Sequence, residues 1–327
     1  MPFAEQAAFS PITLSFPSLF DLQVNGFAGV DFQRRDLAAA DLRRAVDALR
    51  VFQTHRILLT LITDEIEALC RKFERIERFR AADPILAETI CGYHLEGPWL
   101  SAEPGYCGAH SPDKMCAPRL ADFERLQEAA RGFLKLVTLA PEWPGSDEFI
   151  AAVTRGGVRI SLGHTNASER EIDAAIRAGA TLCTHLGNGV PMTLPRHDNI
   201  VHRLLARDEL TACLIPDGAH LPPSVLRNFF RAKPAGRAVL TTDAMAAAAA
   251  PPGRYTLDTL EVESDGAVVR LPGRPYLAGS ALTPDRGVIN AAAWLGISTA
   301  DARALFSTTP ARLFGITVPP IHDPEVL

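Results

Sequence analysis

The sequence predicts an α/β protein built as a (β/α)8 TIM-type barrel, on three observations. Short, nearly uncharged apolar runs alternate with helical periodicity. Eight such runs occur in order. Polar residues able to bind a metal or move a proton sit just past several of them.

The eight runs are Leu19–Gly26, Arg56–Ile62, Cys91–Gly97, Leu134–Pro141, Arg159–Thr165, Ala180–Asn188, Ala212–Gly218 and Ala238–Ala244. They are rich in Val, Ile, Leu and Thr, as parallel strands covered on both faces require. Between them, Asp41–Phe52 and Glu65–Arg80 carry apolar residues at three- and four-residue spacing. Ser168 reads as the N-cap of Glu169–Ala178, with Glu171 placed for a capping box and Gly179 as a stop. Two further helices fit Asp285–Trp294 and Thr299–Phe306. A doubly wound open sheet is the alternative. It gives no reason for polar candidates past runs one, three, five, six, seven and eight.

Two stretches break the alternation. Pro251–Leu277 reads as small strands, a β insertion after the eighth run, and the segment around Val318-Pro319-Pro320 as an irregular tail. The expected organisation is an N-terminal segment over 1–18, the barrel over 19–315 with its insertion at about 251–277, and a tail over 316–327.

The chain has 327 residues, 47% of them hydrophobic, which suits one α/β barrel. A formal net charge of −5 without basic runs leaves no nucleic-acid footprint. No apolar run approaches the ~20 residues that span a bilayer. The N-terminus carries Glu5 and no basic stretch ahead of an apolar one, so no signal peptide is read there. The six cysteines form no C-x-x-C pair and read as free thiols in a reducing compartment. Cys107 and Cys116, in an expected loop, could instead be reactive. A cytoplasmic protein is expected.

Glu96, His164 and His185 each end an apolar run. Residues past parallel barrel strands project into one mouth, and one carboxylate with two imidazoles suits a zinc-type cation. Either histidine alone would more often be a satisfied buried one; their matching positions on adjacent strands favour ligands. His94 lies deeper and reads as structural. Asp243 ends the eighth run, as a proton-handling carboxylate or merely a cap. His110 closes a Gly- and Pro-rich loop after the Glu96 strand, as a solvated loop histidine or as one placed to polarise a substrate. Arg196 and His220 flank the mouth as surface polar groups or as anion-binding ones, and Asp217-Gly218 suits a tight turn.

These segments resemble the N-acetylglucosamine-6-phosphate deacetylases of the amidohydrolase superfamily. The resemblance runs through Asp21-Leu-Gln-Val-Asn-Gly26, His94-Leu-Glu-Gly-Pro-Trp-Leu100, Gly108-Ala-His110, Ser161-Leu-Gly-His-Thr-Asn166, Thr184-His-Leu-Gly-Asn188, Asp217-Gly-Ala-His220, Thr242-Asp-Ala-Met245 and Leu277-Ala-Gly-Ser-Ala-Leu-Thr283. It implies a metal-dependent hydrolase that removes acetate from N-acetylglucosamine-6-phosphate. It implies metal ligation by Glu96, His164 and His185, acid/base work by Asp243, and carbonyl contact by His110. It also implies sugar-phosphate contacts from Asn188, Gly189, Arg196 and His220, and a homodimer, since a neighbouring subunit supplies part of the phosphate contact.

The first strand carries Gln23 and Asn25 where many amidohydrolases carry His-x-His, so one divalent metal is expected, zinc first, with iron, cobalt or manganese as alternatives. Three departures stand out. The loop from Glu96 to His110 is slightly long. Gly187 replaces a bulkier residue, and Gly189-Val190 follows Asn188 where the family usually has Ala-Met. The small β-sandwich domain is expected to be largely absent. The alternatives are a deacylase of another N-acyl amino sugar or N-acyl amino acid, and a non-catalytic sugar-phosphate-binding relative.

Overall fold

A computed structural model describes residues 15–273 and 276–322. The N-terminal stretch read as lacking a signal peptide lies almost entirely outside the described residues, as does the end of the expected tail.

Eight parallel strands form one sheet: β1 Leu19–Val24, β2 Thr54–Ile62, β3 Ile90–Glu96, β4 Leu134–Leu139, β5 Arg159–Leu162, β6 Ala180–Cys183, β7 Thr211–Leu214 and β8 Ala238–Leu240. They pair in sequence order from β1 to β8. The ring closes through a parallel bridge between Val24 and Ala244, where Asn25 N donates to Ala244 O at 2.7 Å. Buried Asp21 reinforces this seam by accepting from the hydroxyls of Thr241 and Thr242, each at 2.6 Å. The architecture is a nearly closed (β/α)8 barrel, not an open sheet.

The expected helices are present with shifted ends: Ala39–Val51, Ile66–Ala82, Glu169–Ala178, Pro284–Leu295 and Thr299–Leu305. The cap at Ser168 takes the form its sequence encodes: Ser168 N donates to Glu171 Oε2 at 2.7 Å, and Gly179 ends the helix at φ +119°. Amphipathic helices cover the outer face of the sheet and build the large core.

The barrel interior is layered. Its floor is apolar, with Phe20, Leu58, Leu136, Leu182 and Val239 packed on Ala311 of the helix Thr308–Phe314. Two residues further along three of these strands, Thr60, Thr138 and Thr184 are buried. The two-residue repeat of a strand puts them on the same inward face. Thr138 Oγ1 meets Thr184 Oγ1 at 2.6 Å and His94 Nε2 at 2.7 Å. His94 thus lies in this hydroxyl layer, below the mouth. Above this hydroxyl layer lies the mouth.

Outside the barrel, Gly253–Leu257, Leu260–Ser264 and Val269–Arg270 form a three-stranded antiparallel sheet. At the other end of the chain, Ser15–Pro17 pairs antiparallel with Pro320–His322. Part of the segment read as an irregular tail is therefore a short strand: extended Pro319-Pro320 lies beside the entry to β1, and Ser18 N donates to Pro319 O at 2.8 Å.

Candidate active site

Glu96 is the last residue of β3, and His164 and His185 lie two residues past β5 and β6. Glu96 Oε1 lies 2.9 Å from His185 Nε2 and 3.3 Å from His164 Nε2, and the two imidazole nitrogens are 3.1 Å apart. All three side chains are buried, with ligand atoms within 4.8 Å of one another. Two imidazole lone pairs cannot share so small a volume with a carboxylate unless a proton or a cation lies among them. Burial opposes a charge on His185, but its hydrogen bond to Glu96 prevails and raises its pKa. Burial would likewise raise Glu96, yet hydrogen bonds from His164 and His185 hold its carboxyl well below the usual range. The donor set fits a divalent cation of the zinc type.

The backbone at the mouth is unusual. His164 at φ +50°, His185 at +26° and Asp243 at +52° all adopt the left-handed region. Such conformations, costly for residues with a Cβ, recur at functional sites. Here they turn three polar side chains off the strand ends toward one point. His164 is also fixed at its far nitrogen, with Nδ1 2.8 Å from Tyr106 O, which leaves Nε2 for the cluster. Gly108 and Gly189, both at positive φ, flank the ring; a Cβ on either would come within 2.8 Å of His164 Cε1.

Gln23 and Asn25, the β1 residues of interest, serve the carboxylates. Gln23 Nε2 donates to Glu96 Oε2 at 3.0 Å, and Asn25 Nδ2 donates to Asp243 Oδ1 at 2.7 Å. Asp243 is buried, and its carboxyl is pushed up to about 7, first by burial and then by the charge of Glu96. His110 faces the same centre, with Nε2 3.9 Å from Glu96 Oε2. Burial and repulsion from His164 lower its pKa to about 3, so the ring is neutral.

His220 Nδ1 lies 2.6 Å from Asp217 Oδ2, and that carboxylate also accepts from His220 N at 2.8 Å. His220 is close enough to Asp243 to bias its ionisation. Asn188 Nδ2 folds back onto His185 O at 3.2 Å. Arg196 stands apart, exposed on the loop 189–198. Gly187 has a local reason: its φ is +94°, and a Cβ would come within 2.9 Å of Phe229 Cε2.

Sequence reasoning named Glu96, His164, His185, Asp243, His110, Gln23 and Asn25, which the fold brings together, but not every residue that orients them. Thr63, past β2, and the Tyr106 carbonyl were not singled out. A threonine hydroxyl and a backbone oxygen carry no pattern of their own, although Thr63-Asp64 does interrupt an apolar run as the ligand residues do.

A scan against models of known protein families matches none. Curated relatives do match. An N-acetylglucosamine-6-phosphate deacetylase of Rattus norvegicus is 36% identical over 92% of this chain and 74% of its own length. The chain belongs to the N-acetylglucosamine-6-phosphate deacetylase family. An N-acetylgalactosamine-6-phosphate deacetylase of Escherichia coli O157:H7 is 32% identical over 95% of this chain and 83% of its own. Among solved structures, the Mycobacterium smegmatis N-acetyl-D-glucosamine-6-phosphate deacetylase D267A mutant, in complex with N-acetyl-D-glucosamine-6-phosphate, superposes with a TM-score of 0.84 at 32% identity, over 94% of this chain and 80% of that one. The Pasteurella multocida deacetylase gives 0.82 at 26% identity, over 92% of this chain and 77% of that one. The family's barrel is thus the barrel found here.

Proposed function

We propose that the protein hydrolyses the acetamide of an N-acetylamino-sugar 6-phosphate, N-acetylglucosamine-6-phosphate first, releasing acetate and the amino sugar phosphate. The observation that carries this reading is the convergence of Glu96 Oε1, His164 Nε2 and His185 Nε2 beside Asp243 and His110.

Glu96, His164 and His185 would hold one divalent ion, zinc by donor chemistry, whose Lewis acidity activates water near neutral pH. Gln23 and Asn25 support a single ion: amides are weak ligands, and here both already donate to the two carboxylates. Asp243, a buried carboxylate beside the cluster, takes a proton from the attacking water and delivers it to the departing amine nitrogen. His110 is neutral and donates from Nε2 to the acetamide oxygen as negative charge builds there. Asn188 and Gly189 contact the sugar. Arg196 and His220 take the phosphate, His220 from a ring fixed by Asp217. Arg196 is far out on an exposed loop, which suits a phosphate contact made across a homodimer. The half-buried and buried free thiols suit a reducing, cytoplasmic setting, and no described helix is long and apolar enough to cross a membrane.

A second reading changes the epimer. The 32% identity to the galactosamine-type deacetylase is close to that shared with the glucosamine-type relatives. Acetate release from the two phosphorylated epimers and unphosphorylated N-acetylglucosamine, with zinc-loaded protein, separates these readings. Turnover of N-acetylglucosamine-6-phosphate but not the free sugar is expected. Turnover of neither phosphorylated sugar overturns the proposal.

A further inference from the structure

Thr63 is the first residue past β2 and is buried. Its hydroxyl lies 2.9 Å from Nδ1 of His110, and its backbone N–H points at the same nitrogen at 3.4 Å. A backbone N–H can only donate, and at 3.4 Å it favours a lone pair on Nδ1 weakly; the hydroxyl at 2.9 Å is the stronger donor. The hydroxyl has one proton, and the other acceptor in reach, the Glu96 carbonyl oxygen, is farther away at 3.4 Å. Both donors of one threonine therefore converge on Nδ1. A doubly protonated ring would set N–H against N–H. The single ring proton is left on Nε2, the nitrogen that faces Glu96 Oε2.

We propose that Thr63 is a positioning residue that fixes the tautomer and orientation of His110, so that Nε2–H is always available to the substrate carbonyl. The proposal rests on the deacylase reading above. Without the Thr63 hydroxyl, the weak backbone contact leaves both imidazole tautomers accessible, and the one protonated at Nδ1 turns a lone pair toward the developing oxyanion. Gly97 completes the arrangement. It sits at φ +87°, and a Cβ there would collide with Thr63 Oγ1. The glycine after Glu96 thus keeps space for the hydroxyl while the chain turns away from β3. The contact spans two strand ends, β2 and β3, and reaches a loop, so it also ties the 101–119 loop to the barrel.

The test compares Thr63→Val, which keeps the branched shape and the N–H but loses the hydroxyl, with Thr63→Ser, which keeps the hydroxyl. In zinc-loaded wild type, nitrogen-15 spectra of the His110 ring should show a protonated Nε2 and a bare Nδ1. Thr63→Val should show mixed tautomers and lose about 10- to 100-fold in kcat, the usual cost of losing a partner that orients an active-site imidazole. KM should stay within about twofold. Thr63→Ser should restore both readouts. Wild-type tautomer and kcat in Thr63→Val would overturn the proposal, as would equal impairment of the Ser and Val variants. If wild type releases no acetate from any sugar phosphate, the deacylase reading fails, while the ring spectra still decide the role of Thr63.

Discussion

The chemistry of the mouth depends on how two carboxylates a short distance apart are kept different. Glu96 is held ionised by two imidazoles, whereas Asp243, buried and repelled by Glu96, rises to about 7. The hydrogen bond from Asn25 works in the opposite sense and favours the carboxylate. Asp243 must be ionised to accept a proton, so activity falls on the acid side of its pKa. Asn25→Leu removes a charge-assisted hydrogen bond and should move the acid limb of the kcat profile upward by about one pH unit. A pH–rate profile beside a metal assay checks this, with metal content unchanged. Gly108→Ala and Gly189→Ala test the other arm of the site. Each drives a methyl group into the His164 ring and should weaken zinc affinity about 10- to 100-fold. Competition with a chelator reads that loss, and wild-type affinity in both variants would show that the ring has room to move.

Elements matter here through their ends. A strand in this barrel contributes its apolar floor, its hydroxyl middle and one polar residue at or just past its C-terminus. The helix that follows needs a clean start so that the intervening loop stays short. Ser168 supplies one such start through its reciprocal bonds with Glu171. Ser168→Ala should cost about 1 kcal/mol and lower the thermal midpoint by about 2–4 °C. Thermal unfolding followed by circular dichroism would show it, and Ser168→Asp, another good cap, should recover most of the loss. The helix Pro223–Ala232 acts differently. Its Phe229 packs where Gly187 leaves space past β6. A larger residue at 187 therefore requires a smaller or displaced one at 229.

For the whole molecule, one buried charge cluster joins the barrel to its β insertion. Lys72 of the second helix lies 2.9 Å from Asp64 and 3.3 Å from Asp258, and Lys114 lies 2.7 Å from Asp64. Asp258 also donates its backbone N–H to Asp31 at 2.9 Å. Burial would raise the Asp64 carboxyl, but hydrogen bonds from Lys114 and Lys72 override it and hold the pKa at about 2. A carboxylate depressed in the folded state adds stability above its unfolded pKa, and that stability is lost as pH falls toward the folded one. The stability gap between wild type and Asp64→Asn should therefore be full at neutral pH and shrink between about pH 4 and pH 2. Urea denaturation at stepped pH measures it, and a constant gap would show that Asp64 contributes by packing alone. Chelation should lower the thermal midpoint too, because a cation bound only by the folded state stabilises it by mass action.

The barrel was legible in the sequence because each strand carries its own evidence: an apolar run such as Ile57–Ile62, then a polar residue, then helical spacing. Glu96, His164, His185 and Asp243 stood out because ionisable groups at the ends of buried strands are costly without a purpose. His110 stood out by closing the loop after the Glu96 strand and His220 by flanking the mouth, and the family resemblance gave each its role. Tertiary structure decided the rest. Only the closed ring brings β1 against β8, and so Asn25 against Asp243, 218 residues apart. Only the folded mouth shows that Gln23 holds Glu96, that Tyr106 and Thr63 set the faces of two histidines, and that Gly187 answers to Phe229. The sequence by itself determined that Glu96, His164, His185 and Asp243 would gather at the strand ends, because period and polarity are local properties of a chain. Their orientation and protonation were left to the structure, because each hydrogen bond that sets them comes from a different strand or loop.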